Sequence, residues 1–360
     1  FGLMRENRFR FSPSRIPLAM GITMAGPINT MLAGLQSAVY GARIRRTKLA
    51  GPPLFILGHW RSGTTLLHEL LFKDPSWGSP STYQCFAPHH FLLTATLMRT
   101  LGAWLLPSKR PMDNMATGWD RPQEDEFALA CLGLPSPYRR IAFPVAGMTT
   151  QPDLDYLNWD NIDAASQEQW IQTLQRFLQH VTAAQPVQDR RPLVVKSPTH
   201  TGRIHVLNRA FPDAKFIHIS RDPMRLFPST CRLWRTLDED HGLQVHGNAS
   251  AENIEGYVIE CFRRMYGSYF QHRDSIPRDR LIEIRYEDLV RQPVQTLQDI
   301  YAQLQLGDFD SVRPALQQWA DTEHRQYQTN QFDEQPKLRQ RLMESWGDYF
   351  RHYDYVDGGN

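Results

Sequence analysis

Hydrophobic residues fall along the chain in two alternating patterns. Short runs rich in Val, Ile, Leu and Phe are separated by longer stretches in which apolar positions recur every three or four residues. The runs at Leu54 to Gly58, Leu193 to Lys196, Lys215 to Ser220 and Leu281 to Arg285 predict strands. Helical spacing covers Ser166 to Ala184 and Gln335 to Phe350, with Arg351 and His352 at the end of the latter. Strands alternating with helices predict an α/β fold with a parallel sheet and crossover helices. The first two predicted strands are too far apart for a simple crossover. A Pro-, Trp- and acid-rich segment at about 75–165 is expected to form helices and loops roofing the site. This divides the chain into an N-terminal helical extension, 1–50, and a main domain, 51–360.

The extension carries a different pattern. Ile16 to Ala42 contains no charged residue, and Arg43, Arg45, Arg46 and Lys48 follow it. Its length suffices to span a bilayer. Pro17, Pro27, Asn29, Gln36 and four glycines dilute its apolar character. Three placements stay open: a span, a pair of helices lying at a membrane surface, or packing on the main domain. The first two would give residues 16–48 contact with a membrane. The sequence opens on Phe1, which leaves room for an upstream targeting segment.

Composition narrows the function. A hydrophobic content of 41% over 360 residues can fill a large core. Forty basic residues against 38 acidic ones, a formal net charge of +2, leave no basic stripe of the kind that grips nucleic acid. Any anion site must be local. Cys85, Cys131, Cys231 and Cys261 lie far apart, and Cys85 with His89 and His90 lacks a second half for zinc. A reducing, cytoplasmic compartment and no metal follow, with membrane association left to the N-terminal stretch.

The first predicted strand runs into GHWRSGTT, Gly58 to Thr65. Gly58 and Gly63 keep the glycine spacing of a P-loop, but the lysine that should follow is missing. A nest of backbone N–H groups opening into a helix N-terminus remains, suited to a phosphate or sulfate oxygen. Ser62, Gly63, Thr64 and Thr65 line it, and Arg61 supplies the cation. Without the lysine or an evident magnesium-binding aspartate, nucleoside triphosphate hydrolysis is disfavoured. The third strand ends at a second anion candidate. Arg221 stands at its carboxyl end, Asp222 and Pro223 open a helix, and Ser229 follows two turns in. Ligands of open α/β sheets bind beyond such strand ends.

Together these segments resemble the sulfotransferases that use 3′-phosphoadenosine 5′-phosphosulfate. GHWRSGTT is similar to that family's 5′-phosphosulfate loop, in its arginine version. SRDPMRLFPST, Ser220 to Thr230, resembles its 3′-phosphate motif. VKSPTH, Val195 to His200, is similar to the lysine segment of the carbohydrate-modifying branch, and RYEDL, Arg285 to Leu289, to another recurrent segment. The resemblance spans roughly Pro53 to Leu306. It implies a P-loop-like three-layer fold with a central mainly parallel sheet flanked by helices. It implies the phosphosulfate co-substrate without a metal, and Arg61, Ser62, Gly63, Thr64, Thr65, Arg221 and Ser229 as donor-binding residues. Carbohydrate, lipid alcohol and small metabolite stay open as acceptors. Ser81 and Thr82 stand where protein-tyrosine sulfotransferases carry a glutamate base, which argues against a tyrosine-protein acceptor.

Sulfuryl transfer needs in-line positioning and charge neutralisation. Arg61 and Lys196 are expected to approach the sulfuryl group, and Lys196, unlike Arg61, can deliver a proton. In RPQEDEFAL, Arg121 to Leu129, Glu124 is the candidate base, ahead of Asp125. The same acids also read as the solvated first turn of a helix favoured by its macrodipole. His59 is an alternative base; His89, His90 and His200 are weaker ones, His200 reading equally as a backbone-bonding residue at a helix start. Trp60, Trp77, Trp104 and Trp119 read as core or cleft wall, and Glu287 and Asp288 as partners of Arg285 or helix caps. Asn248 lies in an N-x-S triplet too common to argue secretion. Two other classes compete: a P-loop-type small-molecule or nucleotide kinase, and a membrane-associated binding module without catalysis.

Overall fold

In the computed structural model, which describes residues 2–102, 118–144, 152–245, 251–322 and 336–356, all four predicted strands form. They are β1 (Leu54–Leu57), β2 (Val194–Lys196), β3 (Lys215–Ser220) and β4 (Leu281–Arg285). Every pairing is parallel and the order is β2-β1-β3-β4, with Phe55 opposite Val195 and Ile56 opposite Ile217. Period-two alternation sorts β1 onto two cores: Phe55 and Leu57 face one layer, Leu54 and Ile56 the other. Both faces are buried, which is why the runs are continuously apolar. Burying Phe55 alone contributes about 1.5–3 kcal/mol.

The principal helices are α1 (Ile16–Arg46), α2 (Thr64–Leu71), α3 (Phe91–Leu101), α4 (Asp125–Cys131), α5 (Ala164–Ala184), α6 (Pro223–His241), α7 (Ala251–His272), α8 (Tyr286–Arg291), α9 (Pro293–Leu304) and α10 (Pro336–His352). α2, α8 and α9 cover one sheet face through Leu66, Leu70, Leu289 and Leu297. α5, α6, α7 and α10 cover the other through Leu174, Trp234, Phe262 and Tyr349. Because β1 has β2 on one side and β3 on the other, the chain reverses direction across the sheet beside β1. The loops after β1, β2 and β3 therefore meet at one rim.

The segment between β1 and β2 holds α3, α4, α5 and several shorter turns. Ser81 and Thr82 open a short helix, Thr82–Phe86, where Ser81 and Gln84 form a reciprocal capping box. Trp60 and Trp77 are buried, and the Trp119 indole donates to the Gly102 carbonyl at 2.7 Å. Trp104, Asn248 and Gln335 lie outside the described residues.

α1 corrects one expectation for the N-terminus, the pair of helices. It is one continuous helix of 31 residues rather than a pair, running on through Pro27, which removes one backbone donor without ending it. Packing on the main domain is confined to one narrow side, where Ala19, Gln36, Gly41 and Ile44 are buried. Most of its other large apolar side chains are exposed, Leu32 and Tyr40 being half-buried.

Candidate active site

β1 ends at Leu57, and the chain turns through Gly58 to Gly63 into α2. A Cβ at Gly58 would meet the Ile219 carbonyl at 2.7 Å, and one at Gly63 would strike the Tyr286 ring at 2.4 Å. Both glycines also have positive φ, 145° and 105°. Arg61 itself sits at φ 69°, a left-handed conformation costing a non-glycine residue about 1–2 kcal/mol. The surroundings hold it there. The Gly58 N–H donates to Thr201 Oγ1 at 2.7 Å, and the Thr230 hydroxyl donates to the Trp60 carbonyl at 3.1 Å. Ser62 Oγ is buried with no hydrogen-bond partner among the described residues. A hydroxyl so placed suits an incoming anion.

The loop after β3 meets this cradle directly. Arg61 Nε donates to Ser229 Oγ at 3.0 Å, and Arg221 Nη1 donates to the Arg61 carbonyl at 2.6 Å. Arg221 is held from behind: its guanidinium lies 4.2 Å from the Tyr286 ring centre, and its N–H donates to the Tyr349 hydroxyl at 2.8 Å. Asp222 does not pair with it. That carboxylate caps α6 by accepting from the Met224 N–H at 2.9 Å, while the Asp222 N–H donates to Glu287.

The third loop contributes Lys196 at the end of β2. Its Nζ donates to Glu124 Oε1 at 2.7 Å and lies 3.4 Å from Thr65 Oγ1. Glu124 is the residue before α4 rather than part of its first turn, and its side chain makes no capping bond. It reaches the rim instead. Its second oxygen accepts from the Tyr138 hydroxyl, which in turn accepts from the Trp60 indole N–H at 2.8 Å. Burial, then the charge of Glu124, pushes the Tyr138 hydroxyl well above its ordinary range, so it stays a donor.

Asp125 and Glu126 overturn the reading of this run as a solvated helix start. Both are wholly buried. Asp125 accepts from Ser197 Oγ at 2.7 Å and pairs with His200 Nε2 at 2.8 Å, so His200 serves a carboxylate rather than local backbone. Glu126 accepts from Arg203 at 2.6 and 3.1 Å, from Ser136 at 2.6 Å and from Thr199 at 2.9 Å. Burial alone would raise both carboxyls. Attraction to His200 for Asp125 and to Arg203 for Glu126, with these hydrogen bonds, holds each below its ordinary value.

The other histidines lie elsewhere. His59 is wholly buried against Trp60 and Phe262, its Nδ1–H donating to the Trp60 carbonyl, and burial brings its pKa down to about 3. It is a packed neutral imidazole. His89 bonds to the Cys131 carbonyl at 3.1 Å, and His90 to Thr94 and Asn29. Among the described residues no group of three or more His, Cys, Asp or Glu could hold a metal ion.

Residues 52–311 match the profile of the Sulfotransferase family. The chain belongs to that family. It is 39% identical over 354 residues to omega-hydroxy-beta-dihydromenaquinone-9 sulfotransferase Stf3 of Mycobacterium bovis, covering 98% of this chain and 88% of the relative. The same fold occurs in sulfotransferase STF9 from Mycobacterium avium, with a TM-score of 0.68 and 22% identity over 96% of this chain and 87% of that one. It occurs again in STF1 from Mycobacterium tuberculosis, with a TM-score of 0.62 and 18% identity over 85% of this chain and 81% of that one. The protein is thus a sulfotransferase on a P-loop-like α/β scaffold, and the kinase and non-catalytic alternatives are set aside.

Several residues of this sulfotransferase rim carried no sequence signal of their own. Tyr138 sits in a turn with no motif, and Thr201, Tyr286 and Tyr349 gain their roles only from tertiary contact. RYEDL was noticeable as a segment, but nothing in its spacing says that Tyr286 backs both Gly63 and Arg221.

Proposed function

We propose that this sulfotransferase takes its sulfuryl group from 3′-phosphoadenosine 5′-phosphosulfate and transfers it to the hydroxyl of a lipid alcohol. The observation that carries the donor is the direct meeting of the two loops through Arg61, Ser229 and Arg221. One nucleotide with phosphates at both ends of its ribose fits such a pair of sites. The cradle of Ser62, Gly63, Thr64 and Thr65 with Arg61 takes the 5′ end, and Arg221 with Ser229 takes the 3′-phosphate. The lipid acceptor is supported by the relative at 39% identity, whose name is that of a hydroxylated menaquinone sulfotransferase.

In the reaction the acceptor oxygen attacks sulfur as the bond from sulfur to the 5′-phosphate oxygen breaks, and the electron pair leaves with the phosphate. Arg61 and Lys196 neutralise the charge that grows there. Glu124 takes the acceptor proton. Protonation of Glu124 weakens its hold on Lys196 at 2.7 Å, releasing that ammonium toward the leaving group as charge develops. Four unpaired cysteines suit a cytoplasmic location, and the apolar α1 suits peripheral membrane contact through residues 16–48.

The test is incubation with labelled donor and a panel of lipid alcohols, sugars and soluble alcohols, alongside calorimetry with adenosine 3′,5′-bisphosphate. Label on the lipid alcohol with tight bisphosphate binding is expected. Transfer to sugars alone would overturn the acceptor, and failure of both measurements would overturn the donor.

A further inference from the structure

α1 turns a continuous apolar stripe away from the protein. Met20, Met24, Ile28, Met31, Leu35 and Val39 recur at helical spacing on the side opposite Ala19, Gln36 and Ile44, which pack inward. Met24 is 70% exposed and Met31 66%, among the highest exposures of any large apolar side chain described. At a rise of 1.5 Å per residue, Ile16 to Ala42 makes an apolar rod about 40 Å long. A soluble protein rarely leaves so much contiguous apolar surface in water.

Charge shows what covers it. From Asn7 to His68 the chain contains no Asp or Glu. Exposed Arg8 and Arg10 precede the rod, and exposed Arg43, Arg45, Arg46 and Lys48 follow it. A second copy docked on the stripe would bring these clusters onto each other in either direction, cation against cation. An anionic bilayer attracts both at once.

The helix is also fixed in its orientation. Arg15 donates to the Glu239 carbonyl at 2.6 Å, Asn29 meets His90 at 3.2 Å, and Gln36 bonds to both the His89 carbonyl at 2.9 Å and the Leu92 N–H at 2.8 Å. Gln179 bonds to the Thr47 carbonyl just past the helix end at 2.8 Å. These ties run from one end to the other, so a helix crossing the bilayer would have to break them. Length and composition alone would allow a crossing.

We infer that α1 is an in-plane anchor whose Met20-to-Val39 stripe enters the headgroup boundary of an anionic phospholipid bilayer, with arginines at both ends on lipid phosphates. The inference rests on the membrane contact proposed above and names its surface, orientation and lipid charge. His89 and Gln36 tie the anchor to the Cys131 end of α4, the helix that Glu124 precedes. The anchor therefore holds the roof of the site against the surface that contains a lipid acceptor.

The test is co-sedimentation of the full chain with vesicles of phosphatidylcholine containing phosphatidylglycerol, against phosphatidylcholine alone, at low and high salt. Binding to the anionic vesicles should exceed binding to neutral ones about tenfold or more and fall with salt. Met24→Glu with Met31→Glu should abolish it, while adenosine 3′,5′-bisphosphate binding and the thermal midpoint stay at the parent values. Equal binding to both vesicles, no binding to either, or a stripe-dependent dimer in light scattering would each overturn the inference. Vesicle binding requires no turnover, so failed transfer with intact binding sinks the acceptor reading and leaves the anchor standing. Transfer to the lipid alcohol without vesicle binding does the reverse.

Discussion

Two carboxylates two residues apart in sequence form ion pairs in opposite environments. Glu124 pairs with a buried Lys196 but keeps its own side chain 14% exposed, whereas Glu126 and Arg203 are sealed at 0% each. The sealed pair has every feature of a structural clamp. Arginine cannot give up its proton at any working pH, and Ser136, Thr199 and two guanidinium nitrogens saturate the carboxylate. At the edge, Glu124 meets a lysine and a tyrosine hydroxyl instead, and its carboxylate keeps a small opening to solvent. Burial and partner identity, rather than residue type, set Glu124 apart from Asp125 and Glu126.

Substitutions can break that contrast. Glu124→Gln should lower turnover about 10²–10⁴-fold, the usual scale for losing a general base, while bisphosphate affinity and thermal midpoint stay unchanged. Full activity in that variant would remove Glu124 as the base. Arg203→Met should leave an unpaired buried carboxylate and cost about 3–5 kcal/mol in denaturant unfolding, with proportionate loss of folded enzyme rather than a change in kcat per folded molecule. Arg221→Ala should weaken bisphosphate binding by about 1.5–3 kcal/mol and alter kcat less than KM for the donor.

Acid titration sharpens the comparison further. The carboxyls of Asp125 and Glu126 lie below their ordinary range in the folded state. Their contribution to stability is therefore complete above the unfolded values of about 4 and is lost as pH falls through the lowered ones. Unfolding free energy measured from pH 5 down to 3 should fall less steeply in Glu126→Gln, which starts lower. A parallel curve would show that the pair carries no such linkage. The smallest effect is expected for Tyr138→Phe. It removes the hydrogen bonds to Glu124 and from the Trp60 indole, each worth about 0.5–1.5 kcal/mol, and should shift the pH profile of kcat more than the midpoint of unfolding.

The sheet and the turns after β1 and β3 were legible because each is local. A buried strand needs consecutive apolar residues, and a phosphate cradle needs glycines and hydroxyls at fixed spacing within one turn, so Leu54 to Thr65 and Lys215 to Ser229 declare themselves. The acidic run did not, since Glu124, Asp125 and Glu126 look alike until Lys196, His200 and Arg203 arrive from the far side of the insertion. Helical propensity gave the right element there and the wrong exposure. α1 was legible as a long uncharged stretch but not as one rod: where a pair of helices was one expectation, a single helix runs through Pro27, tied to the main domain at Arg15, Asn29 and Gln36.

The central claim is that two anion sites lie side by side to hold one doubly phosphorylated nucleotide. A calorimetric cycle tests it: adenosine 3′,5′-bisphosphate against adenosine 5′-monophosphate, each on the parent protein and on Arg221→Ala. The account predicts that deleting the 3′-phosphate or Arg221 weakens binding by a similar amount, and that deleting both costs little more than either. Bisphosphate binding no tighter than that of the monophosphate, or an Arg221→Ala penalty equal for both ligands, would contradict it.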